Sequence, residues 1–256
     1  WQKFLKEKCE DVGVDFLSTP FDRIAVDFLE ELGVEFYKIA SFELVDIPLI
    51  EYVASKRKPV IMSCGMGSEE EIREAVEACK RQGNDNIVLL KCCSQYPAQY
   101  EDMNLLTIPK MKEDFQTYVG LSDHSMGSLA PIVAVGLGAK VIEKHVCLSR
   151  EIENPDAKFS MEMEEFAQMV RDVKNATLVM GKPTYELMEH EKRGLRTRRS
   201  LVAVKDIREG EIFSPENVRS IRPAIGLKPK YYQQLIGKKA KKAYKFGEPI
   251  SEIELR

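Results

Sequence analysis

The sequence predicts an α/β chain: part of a parallel (β/α)8 barrel lacking its first βα units, followed by a small separate C-terminal module. Three observations lead there. Short apolar runs alternate with amphipathic helical stretches through the first 180 residues, the grammar of parallel βα units. Polar residues gather at the C-terminal end of nearly every run, as they do in barrels, whereas open sheets concentrate chemistry at one crossover. Beyond Arg199 the alternation stops and short strand-and-turn patterns take over.

The expected strands are Val14–Ser18, Phe36–Ala40, Pro59–Ser63, Ile87–Cys93, Thr117–Leu121 and Ala139–His145. Before the first lies a helical segment, Trp1–Glu10, so a complete eight-stranded barrel would need two further strands upstream. Between the strands, Ile24, Ala25, Phe28, Leu29 and Leu32 form one apolar helical face. Ser68 stands three residues before Glu71 as a capping box, with Ile72, Ala75, Val76 and Cys79 on the buried face that follows. Phe166, Met169, Val170 and Val173 line the last barrel helix, which Gly181-Lys-Pro183 ends. The expected division is a barrel domain over 1–190, a linker over 191–198 and a small domain over 199–256. In that domain Leu201–Val204 and Ile212-Phe213 read as strands, Ser214 as a helix cap with Pro215 at the first helical position, Arg222–Gly226 as a turn and Lys230–Leu235 as a short helix.

Composition narrows the function. No run approaches the apolar length of a membrane span, and no basic-then-apolar leader is visible. The six cysteines form no C-x-x-C pair and are expected as reduced thiols in a cytoplasmic protein rather than as a zinc site. Residues 191–256 hold 17 Lys/Arg against 8 Asp/Glu, which leaves residues 1–190 at −12 within a whole-chain net charge of −3. The basic tail suits an anionic substrate or an acidic protein surface. It shows no clear platform of stacking aromatics of the kind that nucleic-acid binding would add.

Chemistry concentrates at strand ends. Two of the three histidines, His124 and His145, lie 21 residues apart, about one βα unit, so their rings can face each other from neighbouring strands. Such a pair can hold a divalent first-row metal, act in acid–base catalysis, or be satisfied structurally. Asp123 and Glu143 are close enough to serve either ring, and alternation sets Glu143 and His145 on one side of their strand. Thr19, Ser41, Ser63 and Ser94 supply strand-end hydroxyls, and Ser63-Cys-Gly-Met-Gly-Ser68 can turn backbone N–H groups toward a phosphate. Lys38 and Glu43 flank the end of one strand, and Asp156 follows the last. No Walker A or dinucleotide fingerprint is present.

These motifs resemble the sialic-acid synthase family. The resemblance rests on FLSTPFD (Phe16–Asp22), YKIASFEL (Tyr37–Leu44), Tyr96-Pro97, GLSDHS (Gly120–Ser125), EKH (Glu143–His145) and NPDAKFSM (Asn154–Met161). RRSLVAVKDIREGE and SIRPAIGLKPKY continue it through the C-terminal region. It implies a (β/α)8 barrel with a small antifreeze-protein-like (SAF) domain, condensing phosphoenolpyruvate with an N-acetylated amino sugar. It also implies that His124 and His145 bind a divalent metal, usually manganese, with magnesium or cobalt as alternatives. Lys38, Glu43, Glu143 and Asp156 then fall at catalytic positions. Thr19, Ser41, Ser63 and Tyr96 fall at substrate-binding ones. Arg222 matches an arginine that enters the partner subunit's site in a domain-swapped homodimer. The expected partners are therefore the two small substrates and a second copy, with neither nucleic acid nor membrane. KIASFEL, NPDAKFS and SIRPAIGLKPKY lean to the pseudaminic acid branch. N-acetylneuraminate or legionaminic acid synthesis is the alternative within the family, and sugar binding without catalysis the alternative outside it. Cys64, Gly67 and Val146-Cys147 depart from the residues usual at those positions.

Overall fold

The computed structural model describes residues 1–255. Two compact units divide the chain, Trp1–Lys182 and Pro183–Arg256. The expected linker, 191–198, overlaps a short helix, Glu189–Gly194, and a 3-10 turn; residues 181–188 are the irregular, exposed stretch.

The first unit is built on five parallel strands: β1 (Tyr37–Ile39), β2 (Val60–Ser63), β3 (Ile87–Cys92), β4 (Tyr118–Asp123) and β5 (Val141–Lys144), ordered as in the sequence. The sheet is strongly curled. Four inter-strand steps would set β1 and β5 roughly 19 Å apart in a flat sheet. Yet Lys38 Nζ on β1 lies 3.6 Å from Glu143 Oε2 on β5, so both strands turn toward one axis, as in a barrel. Alternation divides the side chains. Tyr37, Ile39, Val60, Met62, Ile87, Leu89, Val119 and Leu121 join the core packed against the helices, while Lys38, Ser63, Cys92, Ser122 and Glu143 occupy the opposite phase and face the axis. Space on that inner side is tight at Gly120, where a Cβ would lie 2.3 Å from the Val141 carbonyl and 2.6 Å from Leu90. A short parallel pair, β6 (Val146–Cys147) with β7 (Met161–Glu162), closes the loop that follows β5.

The helices follow their local signals. Helix α1 spans Gln2–Val12 and α2 spans Arg23–Leu32; Asp22 caps α2 by accepting from Ala25 N at 2.7 Å. Helix α3 covers Ile47–Ser55, capped by Asp46. Helix α4 covers Glu69–Arg81, with the Ser68–Glu71 capping box formed in both directions and the expected apolar face buried. Helices α5 (Thr107–Phe115), α6 (Leu129–Gly136) and α7 (Met163–Met180) complete the unit. No helix among the described residues is long and apolar enough to cross a membrane.

Two expectations in this unit are corrected. Val14–Ser18 is not a strand: among the described residues it has no ladder partner, and of its apolar residues Phe16 packs against the core while Val14 is exposed. On α2, Val26 and Leu29 are buried, whereas Ile24 and Phe28 are exposed. The buried stripe is narrower than the apolar pattern because only one edge of the helix meets the core.

The second unit is held by Leu201, Phe213, Val218, Leu227, Tyr244 and Ile250 in a core of its own. Its helices are α8 (Glu189–Gly194) and α9 (Tyr232–Leu235), the latter within the expected helical segment. Strand β8 (Ser200–Ala203) pairs antiparallel with β9 (Val218–Ile221), a partner that is not among the expected strands. Ile212-Phe213 forms a single bridge, to Lys239, rather than a strand. Ser214 starts a turn instead of a helix: its N–H donates to Asn217 Oδ1 at 2.8 Å, and the chain enters β9 directly.

Candidate active site

A cavity of about 380 Å³ opens at the C-terminal ends of β1, β2, β4 and β5, the end at which barrels place their chemistry. Eight of the sequence-predicted residues line it: Thr19, Lys38, Ser41, Ser63, Tyr96, His124, Glu143 and His145. Asp156 borders an adjoining hollow, its Oδ2 3.6 Å from His145 Nδ1. Glu43 is not among the lining residues. It closes the 3-10 turn after β1, with Oε2 buried and without a hydrogen-bond partner among the described residues. Arg222 lies exposed in the second unit, directly after β9.

Lys38 sits at the bottom of the charge arrangement. Its ammonium donates to Ser63 Oγ at 2.8 Å and to the Ile39 carbonyl at 2.9 Å, and faces Glu143 at 3.6 Å. Burial lowers its pKa, an effect that the Glu143 carboxylate opposes. Glu143 accepts from Ser122 Oγ at 2.6 Å, across strands whose register pairs Ser122 directly with Glu143. Ser122 is a site residue beyond those expected from the sequence. Its signal is positional: it stands two residues before His124 and therefore on the same face of the strand.

The histidines meet as expected, ring centroids 5.2 Å apart. The Nδ1–H of His124 donates to the Cys93 carbonyl at 2.8 Å, which in the neutral ring leaves Nε2 as the lone-pair nitrogen. Burial works against protonation of His124, but its bonds to Cys92 and to the Cys93 carbonyl prevail and raise the pKa. His145 is shifted the other way, by burial and then by the neighbouring His124 charge. Tyr96 lies tilted against His124, ring centroids 4.2 Å apart, and Phe159 meets His145 edge-on at 5.0 Å, so aromatic rings flank the pair.

This donor set fits a metal ion in one way. Two imidazoles, one with its second nitrogen tied to a carbonyl, suit an open catalytic site completed by water and substrate oxygens. A closed structural site does not fit, because no group of three or more His, Cys, Asp or Glu placed to hold a metal occurs among the described residues.

On the far face of the same two strands lies a second charged pair. Asp123 and Lys144 are register partners; Lys144 Nζ donates to Asp123 Oδ2 at 2.5 Å and also to the Ser125 carbonyl. Asp123 Oδ1 accepts from Ser125 N at 2.8 Å. Both side chains are at most 1% exposed, so the pair locks together the strand ends that carry His124 and His145. Gly65 is constrained for a related reason. Its N–H donates to Ser41 Oγ at 3.0 Å, and a Cβ there would lie 2.1 Å from Ser94 Oγ and 2.8 Å from Ser41 Oγ.

A barrel-type site with a buried lysine, a carboxylate, several hydroxyls and two facing histidines defines an enzyme for anionic, oxygen-rich substrates. The comparisons agree. The chain matches the NeuB family over residues 1–185 and the SAF domain over residues 198–256. It is 44% identical over 256 residues to the pseudaminic acid synthase of Campylobacter jejuni subsp. jejuni serotype O:23/36 (strain 81-176), covering 100% of this chain and 75% of that one. It is 42% identical over 257 residues to the pseudaminic acid synthase of Helicobacter pylori (strain ATCC 700392 / 26695), again 100% and 75%. Among solved structures it resembles the N-acetylneuraminic acid synthetase of Leptospira borgpetersenii serovar Hardjo-bovis in complex with citrate. That match has a TM-score of 0.71 at 35% identity over 75% of this chain and 67% of that one. The chain belongs to the NeuB family.

Proposed function

We propose that the protein is a pseudaminic acid synthase. It condenses phosphoenolpyruvate with 2,4-diacetamido-2,4,6-trideoxy-β-L-altropyranose and water, giving pseudaminic acid and phosphate. The observation that carries the reading is the cavity in which Lys38, Ser63, Ser122 and Glu143 converge beside His124 and His145. Whole-chain similarity to pseudaminic acid synthases supports the choice of sugar.

The chain's own groups divide the work. Lys38 and the hydroxyls around it offset the carboxylate and phosphate charge of phosphoenolpyruvate. C3 of phosphoenolpyruvate attacks the sugar aldehyde carbon, whose oxygen takes up a proton. Water adds at the cationic C2, and the tetrahedral intermediate expels phosphate by C–O cleavage. Glu143, the one carboxylate lining the cavity among the described residues, is placed to accept the proton released by the attacking water. Tyr96 and Phe159 pack beside the histidines and hold their rings in place. His124 and His145 would hold a divalent metal, Mn²⁺ first and Mg²⁺ or Co²⁺ as alternatives, which when bound supplies Lewis-acid polarisation of the aldehyde. Arg222 serves the active site of a second copy in a domain-swapped homodimer, bringing positive charge to an anionic site. The reaction takes place in the cytoplasm.

His124→Ala is expected to abolish Mn²⁺-dependent phosphate release and to weaken Mn²⁺ binding followed by electron paramagnetic resonance. Unchanged turnover and unchanged Mn²⁺ affinity would remove the role given to the pair.

A further inference from the structure

Two of the groups set against His145 stand on a stretch with little regular structure of its own. Asp156 Oδ2 lies 3.6 Å from His145 Nδ1, and the Phe159 ring meets His145 edge-on with centroids 5.0 Å apart. Both belong to the segment that runs from β6 back to β7, irregular apart from one 3-10 turn, Ala157–Phe159. A segment without a ladder opens easily unless side chains fix it, so the question is what holds this one.

Arg150 supplies the anchor. Its guanidinium forks onto Glu165 of α7, Nη1 to Oε2 at 2.6 Å and Nη2 to Oε1 at 2.8 Å, and Nη1 also donates to the Ser160 carbonyl at 3.0 Å. Its backbone N–H donates to Glu162 Oε1 at 2.9 Å. Glu165 is itself fixed, because its Oε2 accepts from the Glu162 N–H at 2.9 Å in the capping box that opens α7. The bonds from Arg150 hold the pKa of Glu165 down at about 2, so the fork stays ionised at neutral pH. Ser160, buried, passes the constraint on. Its N–H and Oγ both donate to the Asp156 carbonyl, at 3.1 Å and 2.8 Å, and it directly follows Phe159. The next residue, Met161, donates its N–H to the His145 carbonyl at 2.9 Å. An unbroken series of bonds therefore runs from α7 through Arg150 and Ser160 to the residues packed against His145.

We infer that Arg150, backed by Glu165, is a positioning residue for the reaction: it ties the Ser160 carbonyl to α7 and so sets Asp156 and Phe159 against His145. The inference rests on the synthase reading above. Arg150 does not line the catalytic cavity, so it acts through the residues it holds. Its pairing with Glu165 is too open to matter much for stability, the two side chains being 32% and 45% exposed, since ion pairs at such exposure contribute little. What the pair provides is geometry. The planar fork fixes Glu165 and the Ser160 carbonyl at once, and a lysine ammonium cannot reproduce that arrangement. Small displacements of groups that orient a site are costly to turnover even when the fold is intact.

The test compares the unsubstituted protein with Arg150→Gln and Arg150→Lys by amide hydrogen exchange, melting temperature and steady-state phosphate release. In both variants exchange quickens over residues 154–161, while β1 to β5 keep their protection and the melting temperature stays close to that of the parent. The kcat falls about 10–100-fold, the scale of losing a group that orients a site residue. The KM for phosphoenolpyruvate does not change, because Lys38 and Ser63 stand on other strands. Arg150→Lys keeps a positive charge beside Glu165 and still fails to restore kcat. Unchanged exchange over 154–161, or an unchanged kcat, would overturn the positioning role. Full recovery in Arg150→Lys would reduce Arg150 to a charge, and loss of protection across the whole unit would make it merely structural; either result overturns the role as well. The exchange readout needs no turnover. If the unsubstituted protein releases no phosphate, that counts against the synthase reading, and local loosening in the variants still decides whether Arg150 fixes the segment.

Discussion

Lys38→Met lowers phosphate release by about 10³-fold, the scale of losing one buried electrostatic stabiliser. The ammonium lines the cavity and is held by Ser63 at 2.8 Å and the Ile39 carbonyl at 2.9 Å. Burial already lowers its pKa, so the site bears a cost of desolvation that an incoming carboxylate or phosphate relieves. Methionine keeps the length of the side chain and removes the charge. It also leaves Glu143, bonded to Ser122 at 2.6 Å, without its counter-ion. The loss therefore divides between a higher KM for phosphoenolpyruvate and a lower kcat, with little change in the KM for the sugar. Lys38→Arg does not restore the rate, because a planar guanidinium cannot reproduce a compact ammonium among these partners. Steady-state phosphate release with each substrate varied in turn checks the partition. A variant whose KM for phosphoenolpyruvate is unmoved would show that Lys38 does not meet that substrate.

Asp123→Asn or Lys144→Met destabilises the first unit by about 3–5 kcal/mol, because removing one member leaves the other charged and buried. That is a large share of the roughly 5–15 kcal/mol that holds a typical domain folded. Replacing both with apolar residues recovers part of the loss but not all. Asp123 also binds Ser125 N, and Lys144 also binds the Ser125 carbonyl, so the double variant leaves backbone groups unpaired. Urea denaturation of the two single variants and the double variant measures these differences. A single variant within about 1 kcal/mol of the parent, the scale of an exposed pair, would show that the charges contribute little to holding the strand ends.

Motif resemblance and the period-two pattern make much of the site legible in the residues themselves. Glu143 and His145 share a strand face, as alternation requires, and His124 comes from the neighbouring strand. What pattern alone does not supply is curvature. The contact between Lys38 and Glu143 depends on how far five strands curl, which no single strand encodes. Register is the second gap. The Asp123–Lys144 and Ser122–Glu143 pairings follow from strand alignment, which is set by packing across both faces. Short elements are the third. Val14–Ser18 has strand composition but lacks a ladder partner. Val218–Ile221 carries Arg219 and Ser220 within four residues and forms a strand because β8 offers it an edge. Asp156 is readable as a site residue, whereas the hollow that it shares with Leu148 and Ile152 arises from how the loop after β5 folds back.

The most direct test of the central claim is phosphate release from phosphoenolpyruvate in the presence of Mn²⁺, with the amino sugar varied. The account predicts rapid release with 2,4-diacetamido-2,4,6-trideoxy-β-L-altropyranose, one phosphate for each nine-carbon 2-keto acid formed, and little with N-acetylmannosamine. Rapid release with N-acetylmannosamine and none with the diacetamido sugar would contradict the choice of substrate. No release with any amino sugar, while sugar still binds, would contradict the synthase itself.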